Sequence, residues 1–196
     1  MKRLLALTSL VCAGAFAHAG TIATFFDPAA DASTPLFVFD TATNILTGSW
    51  TGTGLNVQTP GLIGGGAVNN AKFSTSAIAL TNVPSTDIWT GGAGQFRFYT
   101  DDINNPFLVV DFTGATLFSP LNFGASEFSG SIVNMSGPNV PTGLTNEQFS
   151  FSLANPAVSG NLRTYTASFT SSAVPEPASM VALGLGLAAL LRRKRA

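Results

Sequence analysis

The chain has 196 residues, of which 45% are apolar and 10% are charged, and its net charge is −1. This length corresponds to one ordinary domain with short accessory segments. Cys12 and His18 are the only residues of their types. If the segment that holds them is removed, the chain has no disulfide, no Cys or His ligand for zinc or haem, and no nucleophile–histidine triad.

The N-terminal segment has the three parts of a secretory signal. Lys2 and Arg3 precede an apolar run from Leu4 to Phe16, and a small-x-small cleavage pattern ends at Ala19. We therefore predict export by Sec-type machinery and cleavage between Ala19 and Gly20. An uncleaved anchor is the alternative, but the run is shorter than the roughly 20 residues that a membrane span needs.

The central segment, residues 20–173, is acidic and rich in phenylalanine. It holds nine carboxylates and three cations, Lys72, Arg97 and Arg163, so its net charge is 3 − 9 = −6. Such a balance argues against binding of nucleic acid or of anionic lipid. All but one of the 16 phenylalanines lie in this segment. They supply apolar area for a core and argue against disorder.

Strand-like periodicity recurs through the central segment. Gln148–Leu153 and Thr164–Thr170 alternate polar and apolar residues, and Gln95–Tyr99 places two phenylalanines on the face opposite Arg97. These patterns predict half-buried antiparallel strands. The continuous apolar run Pro106–Phe112 predicts a strand that is covered on both faces.

Turn signals divide the segment about every ten residues. They occur at Thr41–Asn44, Gly61–Gly66, Asn82–Ser85, Gly91–Gly94, Thr113–Gly114 and Gly137–Pro138. No stretch has the periodicity of an amphipathic helix. We predict an all-β domain, an antiparallel β-sandwich or jelly roll, with a β-barrel as the alternative. Residues 171–173 are predicted to form a short linker to the C-terminal segment.

Acidic side chains offer two candidate sites. Asp101 and Asp102 open the densest group of oxygen ligands, which suits calcium, but the EF-hand spacing is absent and such residues also mark ordinary turns. Asp111 and Glu127 are the best candidates for a glycosidase, which needs two acids about 5 to 10 Å apart. We predict neither a catalytic residue nor a cofactor, and both sites stand as alternatives.

Aromatic side chains offer a third candidate site. Trp50, Trp89 and Tyr99 could stack on sugar rings if they are exposed. The competing interpretation is that they pack in the core or close the ends of the fold.

The C-terminal segment has three parts in a fixed order. An extended stretch, in which two prolines prevent a helix, precedes an apolar run from 180 to 191 and a cationic cluster. A helix of this run rises about 18 Å, against a hydrocarbon core of about 30 Å, so we expect a temporary membrane anchor. The cluster stays cytoplasmic under the positive-inside rule. The residues concerned are Val174, Pro175, Glu176 and Pro177; then Met180, Val181, Leu183, Leu185, Leu187, Leu190 and Leu191; then Arg192, Arg193, Lys194 and Arg195.

This order of parts resembles the PEP-CTERM sorting signal of Gram-negative bacteria. The resemblance implies that the tail holds an exported protein in the inner membrane until exosortase, a membrane-embedded cysteine transpeptidase, recognises Pro175–Pro177 and cuts nearby. It also implies a host that makes extracellular polysaccharide. The resemblance covers the C-terminal segment and not the central domain. A plain tail anchor with a proline-rich stalk is the alternative.

The predicted organisation is therefore a signal peptide, a central domain and a sorting tail. We expect a non-enzymatic protein that is exported, held transiently with its domain in the periplasm, and delivered to the cell surface or to a biofilm matrix. A carbohydrate-binding module of the exopolysaccharide matrix is one alternative, and a carboxylate-based glycosidase is another. The predicted bounds are 1–19, 20–173 and 174–196, the last divided into a motif 174–177, a helix 178–191 and a basic cluster 192–195.

Overall fold

A computed structural model describes residues 19–28, 34–119 and 126–175, and all regular structure in these residues is β. The strands pair antiparallel in one continuous sheet. In chain order they are β1 (Gly20–Phe25), β2 (Phe37–Asp40), β3 (Ile45–Trp50), β4 (Val57–Gln58), β5 (Ala67–Val68), β6 (Lys72–Thr75), β7 (Ile78–Asn82), β8 (Ile88–Gly91), β9 (Gly94–Tyr99), β10 (Leu108–Phe118), β11 (Ser126–Ser136), β12 (Leu144–Ser159) and β13 (Leu162–Pro175).

Eight strands close into a barrel. Its wall runs β2, β13, β12, β11, β10, β9, β6 and β3, and β3 pairs back with β2. The predicted all-β antiparallel class is confirmed, whereas the predicted sandwich or jelly roll is wrong and the barrel alternative forms. The physical reason is that β10 to β13 are long strands that each pair on both edges, so the sheet curves onto itself instead of splitting into two layers.

Two long strands carry two partners on one edge. On β10, Leu108–Phe112 pair with β9, and Ala115–Phe118 pair with β8. On β13, Leu162–Tyr165 pair with β2, and Phe169–Ala173 pair with β1, which in turn carries β4 and β5. At one end of the barrel β10 and β13 therefore pair with β9 and β1, and at the other end the same two strands pair with β8 and β2.

Phenylalanine fills the barrel. Eleven phenylalanines are buried, and the ring of Phe151 packs against rings from several strands, with centroid distances of 4.7 Å to Phe96, 4.8 Å to Phe169 and 4.9 Å to Phe37. An eight-stranded barrel is just wide enough for side chains to fill. The interior is accordingly a packed core, and any ligand site must lie on the outside or at an end.

The predicted strands at Gln95–Tyr99, Gln148–Leu153 and Thr164–Thr170 are confirmed as parts of β9, β12 and β13. The strand predicted at Pro106–Phe112 begins at Leu108, and its expected burial on both faces is wrong, because Val109 and other alternate residues are only half-buried. A barrel wall has only one interior face, so a strand need not be apolar on both sides.

The turn predicted at Thr41–Asn44 is confirmed, because these residues join β2 to β3. Hydrogen bonds to a polar side chain stabilise it. The carboxylate of Asp40 accepts hydrogen bonds from the Ala42 N–H and the Thr43 hydroxyl, both at 2.9 Å. Both hydrogen bonds lower the pKa of Asp40, and the bond from the Ala42 N–H has the larger effect. Asn44 has a φ of 57°, a left-handed conformation that asparagine tolerates.

Two other expectations about connections are wrong. Thr113–Gly114 is not a turn, because β10 continues through it with Gly114 paired to Ser131. Residues 171–173 are not a linker, because they lie in β13 with Ser171 and Ala173 buried. In both cases the partner strand supplies the register that local turn chemistry does not reveal.

The predicted signal peptide and C-terminal helix lie outside the described residues, apart from Ala19 before β1. Among residues 19–28, 34–119 and 126–175, no helix is long and apolar enough to cross a membrane.

The phenylalanine core predicts a sharp difference between two phenylalanine substitutions. Phe151→Ala should destabilise the fold by about 3–5 kcal/mol, because it leaves a cavity among rings that cannot collapse into it. Phe26→Ala, at a side chain that is 77% exposed, should change stability by no more than about 0.5 kcal/mol. Urea unfolding followed by tryptophan fluorescence measures both, and equal effects would contradict the packing described here.

Candidate functional site

The last strand ends at one rim of the barrel, together with the first strand. Val174 and Pro175 lie in the β12–β13 ladder opposite Thr145 and Leu144. Gly20, the first residue of β1, pairs with Ala173. The first and last strands therefore begin and end side by side, and we call this end of the barrel the terminal rim.

A bulge in β1 locks these two strands together. The register shifts between Thr21 and Ala23, where β1 has one residue more than β13. The buried hydroxyl of Ser171 accepts a hydrogen bond from the Ala23 N–H and donates one to the Ala23 carbonyl, both at 3.1 Å. These two bonds satisfy the backbone groups that the bulge leaves without ladder partners.

The segment that leaves the terminal rim was compared with known families. Residues 173–195 match the family described as the PEP-CTERM protein-sorting motif. The chain carries a PEP-CTERM sorting motif. Neither the curated proteins nor the solved structures gave a match to the chain. The resemblance predicted from the sequence is thus confirmed for the C-terminal segment, and the PEP-CTERM motif implies export and recognition by exosortase.

The start of the PEP-CTERM motif is part of the folded domain. Ala173 is fully buried, and Val174 and Pro175 are in the ladder, so the described chain has no linker between barrel and motif. A proline is tolerated at this place because β1 pairs with β13 only as far as Ala173, so that Pro175 has a described ladder partner on one edge only. Glu176, Pro177, the apolar residues 180–191 and the basic cluster 192–195 lie outside the described residues.

A cleft of about 720 Å³ opens between β11 and β12 near the terminal rim. The two strands pair only over Ser126–Ser129 and Ser150–Leu153, and they separate beyond that point. Ser131, Gln148 and Thr170 are among the polar residues that line the gap. We call this space the β11–β12 cleft.

Glu147 is one of two carboxylates that line this cleft, and the other, Glu127, is exposed. One carboxylate oxygen of Glu147 accepts a hydrogen bond from the Met135 N–H, which takes the place of the missing β12 partner. Burial raises the pKa of Glu147 above its ordinary value, and the bond from Met135 offsets part of this effect. The carboxylate thus closes the open edge of β11 at the cost of partial desolvation.

Two left-handed residues shape the same cleft. Asn146, with a φ of 51°, sits in a bulge of β12 that shifts the register between Thr145 and Gln148. Ile132, with a φ of 49°, is a β-branched residue in a conformation that is costly for it, and its side chain is 79% exposed. At Ile132 the buried positions of β11 change from even to odd numbers, from Phe128 to Met135.

A second cleft, of about 480 Å³, lies at the other end of the barrel. We call it the Trp89 cleft. The indole of Trp89 is half-buried and packs edge-on against the ring of Phe39, with centroids 4.8 Å apart. The cleft is lined by Asn82, Ser85, Thr86, Asp87, Trp89 and Arg163.

The remaining aromatic candidates are less accessible than Trp89. Tyr99 is only 7% exposed, and its ring is therefore unavailable for stacking. Trp50 is partly buried against the core, and its indole N–H is buried without a hydrogen-bond partner. The three aromatic candidates do not form one site, because only Trp89 lines a described cleft.

The acidic candidates do not assemble into either of the two alternative sites. Asp111 pairs with Asn134 and Glu127 pairs with Phe118, so the two acids are seven residues apart along β10 (118 − 111). This is about 24 Å, well beyond the separation of a glycosidase pair. Asp111 and Glu127 therefore do not form the acid pair of the glycosidase alternative.

The calcium candidates lie in an ordinary exposed turn between β9 and β10. The carboxylate of Asp102 accepts hydrogen bonds from the backbone and side-chain N–H groups of Asn104, at 2.9 and 3.1 Å. Asp101 is also exposed. Within the described ranges, no group of three or more His, Cys, Asp or Glu residues could hold a metal ion.

Neither Glu147 nor Arg163 was among the predicted functional residues. A signal for Glu147 was present, because it stands two residues before Phe149 and four before Phe151 and so shares their inward-facing register. Arg163 likewise precedes the inward-facing Tyr165 by two residues. A charged residue in the register of buried aromatic residues indicates an end or an opening of the barrel.

The raised pKa of Glu147 predicts a pH-dependent stability. The folded protein holds this proton more tightly than the unfolded chain, so the contribution to stability is fully present below the ordinary pKa of 4.5 and is lost as the pH rises through the folded pKa. Relative to Glu147→Gln, the parent should therefore become less stable between pH 4.5 and pH 7. Urea unfolding at a series of pH values measures the difference.

Ser131→Ala is the matched control in the same cleft, because it changes no titratable group. Its stability relative to the parent should not vary over this pH range. A parent that gains stability over Glu147→Gln as the pH rises would contradict the assigned direction.

Proposed function

We propose that this protein is an exported cargo whose C-terminal motif is processed by an exosortase-type transpeptidase. The observation that carries the proposal is the sorting motif at residues 173–195, which continues directly from β13. In this proposal the tail anchors the precursor in the inner membrane, and the barrel then acts at the cell surface or in the extracellular matrix without catalysing a reaction.

The arrangement of the terminal rim supports anchoring at one end of the barrel. Gly20 and Ala173 are paired neighbours, so the predicted signal peptide and the sorting tail leave the domain from adjacent positions. Two apolar segments that leave one rim can occupy the same bilayer without unfolding the barrel between them. The barrel is then oriented with its terminal rim toward the membrane.

The register of β13 also limits where the tail is removed. Pro175 is the last residue in the ladder, opposite Leu144. A cut before Val174 would remove Val174 and Pro175, which pair with β12, and would leave Ala173 as the last residue of β13. We therefore place the cleavage after Pro175, which leaves the wall of the barrel complete.

Intact-mass measurement of the protein from cells tests this proposal. In cells that contain the transpeptidase, the product should begin at Gly20 and retain every residue through Pro175. In cells without it, the chain should keep its basic C-terminus and stay in the membrane fraction. Replacing Pro175, Glu176 and Pro177 together by alanine should abolish processing, because the recognised motif is gone.

Glu127→Ala is the matched control, since it removes an exposed carboxylate at the end of the β11–β12 cleft that is farthest from the terminal rim. It should be processed like the parent. A full-length chain with an intact basic terminus in the soluble fraction would overturn the anchoring, and a product that ends before Pro175 would overturn the assigned cleavage region.

A further inference from the structure

The Trp89 cleft combines an aromatic ring with two opposite charges. Asp87 and Arg163 both line it, yet they form no ion pair with each other. In the described part of the chain, neither the Asp87 carboxylate nor the Arg163 guanidinium has a hydrogen-bond or ion-pair partner. An acceptor and a donor are thus both available beside the indole of Trp89.

The Trp89 cleft lies at the open end of the barrel opposite the terminal rim, which we call the mouth of the barrel. Arg163 lies in the inward-facing register of β13, two residues before the buried Tyr165. Phe39 is fully buried, pairs with Arg163 and packs against the indole of Trp89. Barrel mouths are frequent ligand sites, and about 480 Å³ falls within the range of about 300–1,000 Å³ that is usual for small-molecule pockets.

The loop that forms one wall of the cleft is held by its own hydrogen bonds. The side-chain amide of Asn82 donates to the carbonyls of Thr86 and Ile88, at 3.2 and 3.3 Å. The Thr86 hydroxyl donates to the Val83 carbonyl at 2.7 Å and accepts from the Ile88 N–H at 3.2 Å. A wall fixed in advance lowers the entropy cost of binding a ligand.

Charge restricts the class of ligand. The domain has a net charge of −6, and the mouth itself contains Asp87 beside its one cation. Both features disfavour anions. A molecule with an apolar face and neighbouring hydroxyls suits the cleft, because its face can pack on Trp89 while its hydroxyls donate to Asp87 and accept from Arg163.

We propose that the mouth of the barrel at Trp89, Asp87 and Arg163 binds a neutral sugar ring of a glycan. The site does not depend on the sorting proposal, since Arg163 and Pro175 are twelve residues apart on β13 (175 − 163). That is about 40 Å of strand. In a chain held at its terminal rim, the mouth faces away from the membrane and toward extracellular polymers.

Affinity electrophoresis of the purified full chain, in mild detergent with neutral and uronic-acid polysaccharides in the gel, tests the site. The parent should be retarded by at least one neutral polysaccharide and not by the uronates. Trp89→Ala, Asp87→Asn and Arg163→Gln should each weaken retardation about tenfold or more, because a hydrogen bond to a charged group or the aromatic contact is lost.

Trp50→Phe is the matched control, because Trp50 lies outside both clefts and packs against the core. It should be retarded like the parent. Asp87→Asn and Arg163→Gln keep polar side chains at partly exposed positions, so they test the site even if Trp89→Ala disturbs the packing on Phe39. Absence of retardation by every neutral polysaccharide, or equal retardation of all three variants and the parent, would overturn the proposal.

Discussion

The packing of phenylalanine rings inside a closed barrel is the constraint on which the other features depend. Rings from most of the long strands meet around Phe151 and, in the described part of the chain, they fill the interior of the barrel. Recognition is therefore confined to the rims and the outer wall. This explains why the chemistry of the described chain lies where strands separate or end, at the β11–β12 cleft, the Trp89 cleft and the terminal rim.

Single residues with a left-handed backbone conformation interrupt the regular pairing or pleat of strands in the barrel wall. Asn146 and Asn155 each accompany a register shift of β12, and Ile132 marks a change of pleat phase in β11. Asparagine adopts this conformation at low cost, whereas a β-branched residue does not. The strain at Ile132 is held by ladder pairs on both sides of it. The β11–β12 cleft is thus built into the backbone and does not depend on loop conformation.

Sequence patterns predicted the antiparallel β class, several strands and the sorting motif, because period-two alternation and the Pro-Glu-Pro segment are local. They did not predict closure, which depends on pairs such as Phe37 with Tyr165, far apart in the chain. Local turn chemistry at Thr113–Gly114 was overridden by the partner strand. The Trp89 cleft unites residues from three strands and a loop, and no spacing in the sequence reveals that association.

The pairing of Gly20 with Ala173 has a consequence for how the protein is made. A chain that crosses a membrane from its N-terminus exposes β1 long before β13 arrives, so β1 must wait without its principal partner. The pairing of β13 with β1, and with β2 to close the wall, is then the final event of translocation. A tail that retains the C-terminus at the membrane would keep the late-arriving strand beside the waiting one, and so would shorten the search that ends folding.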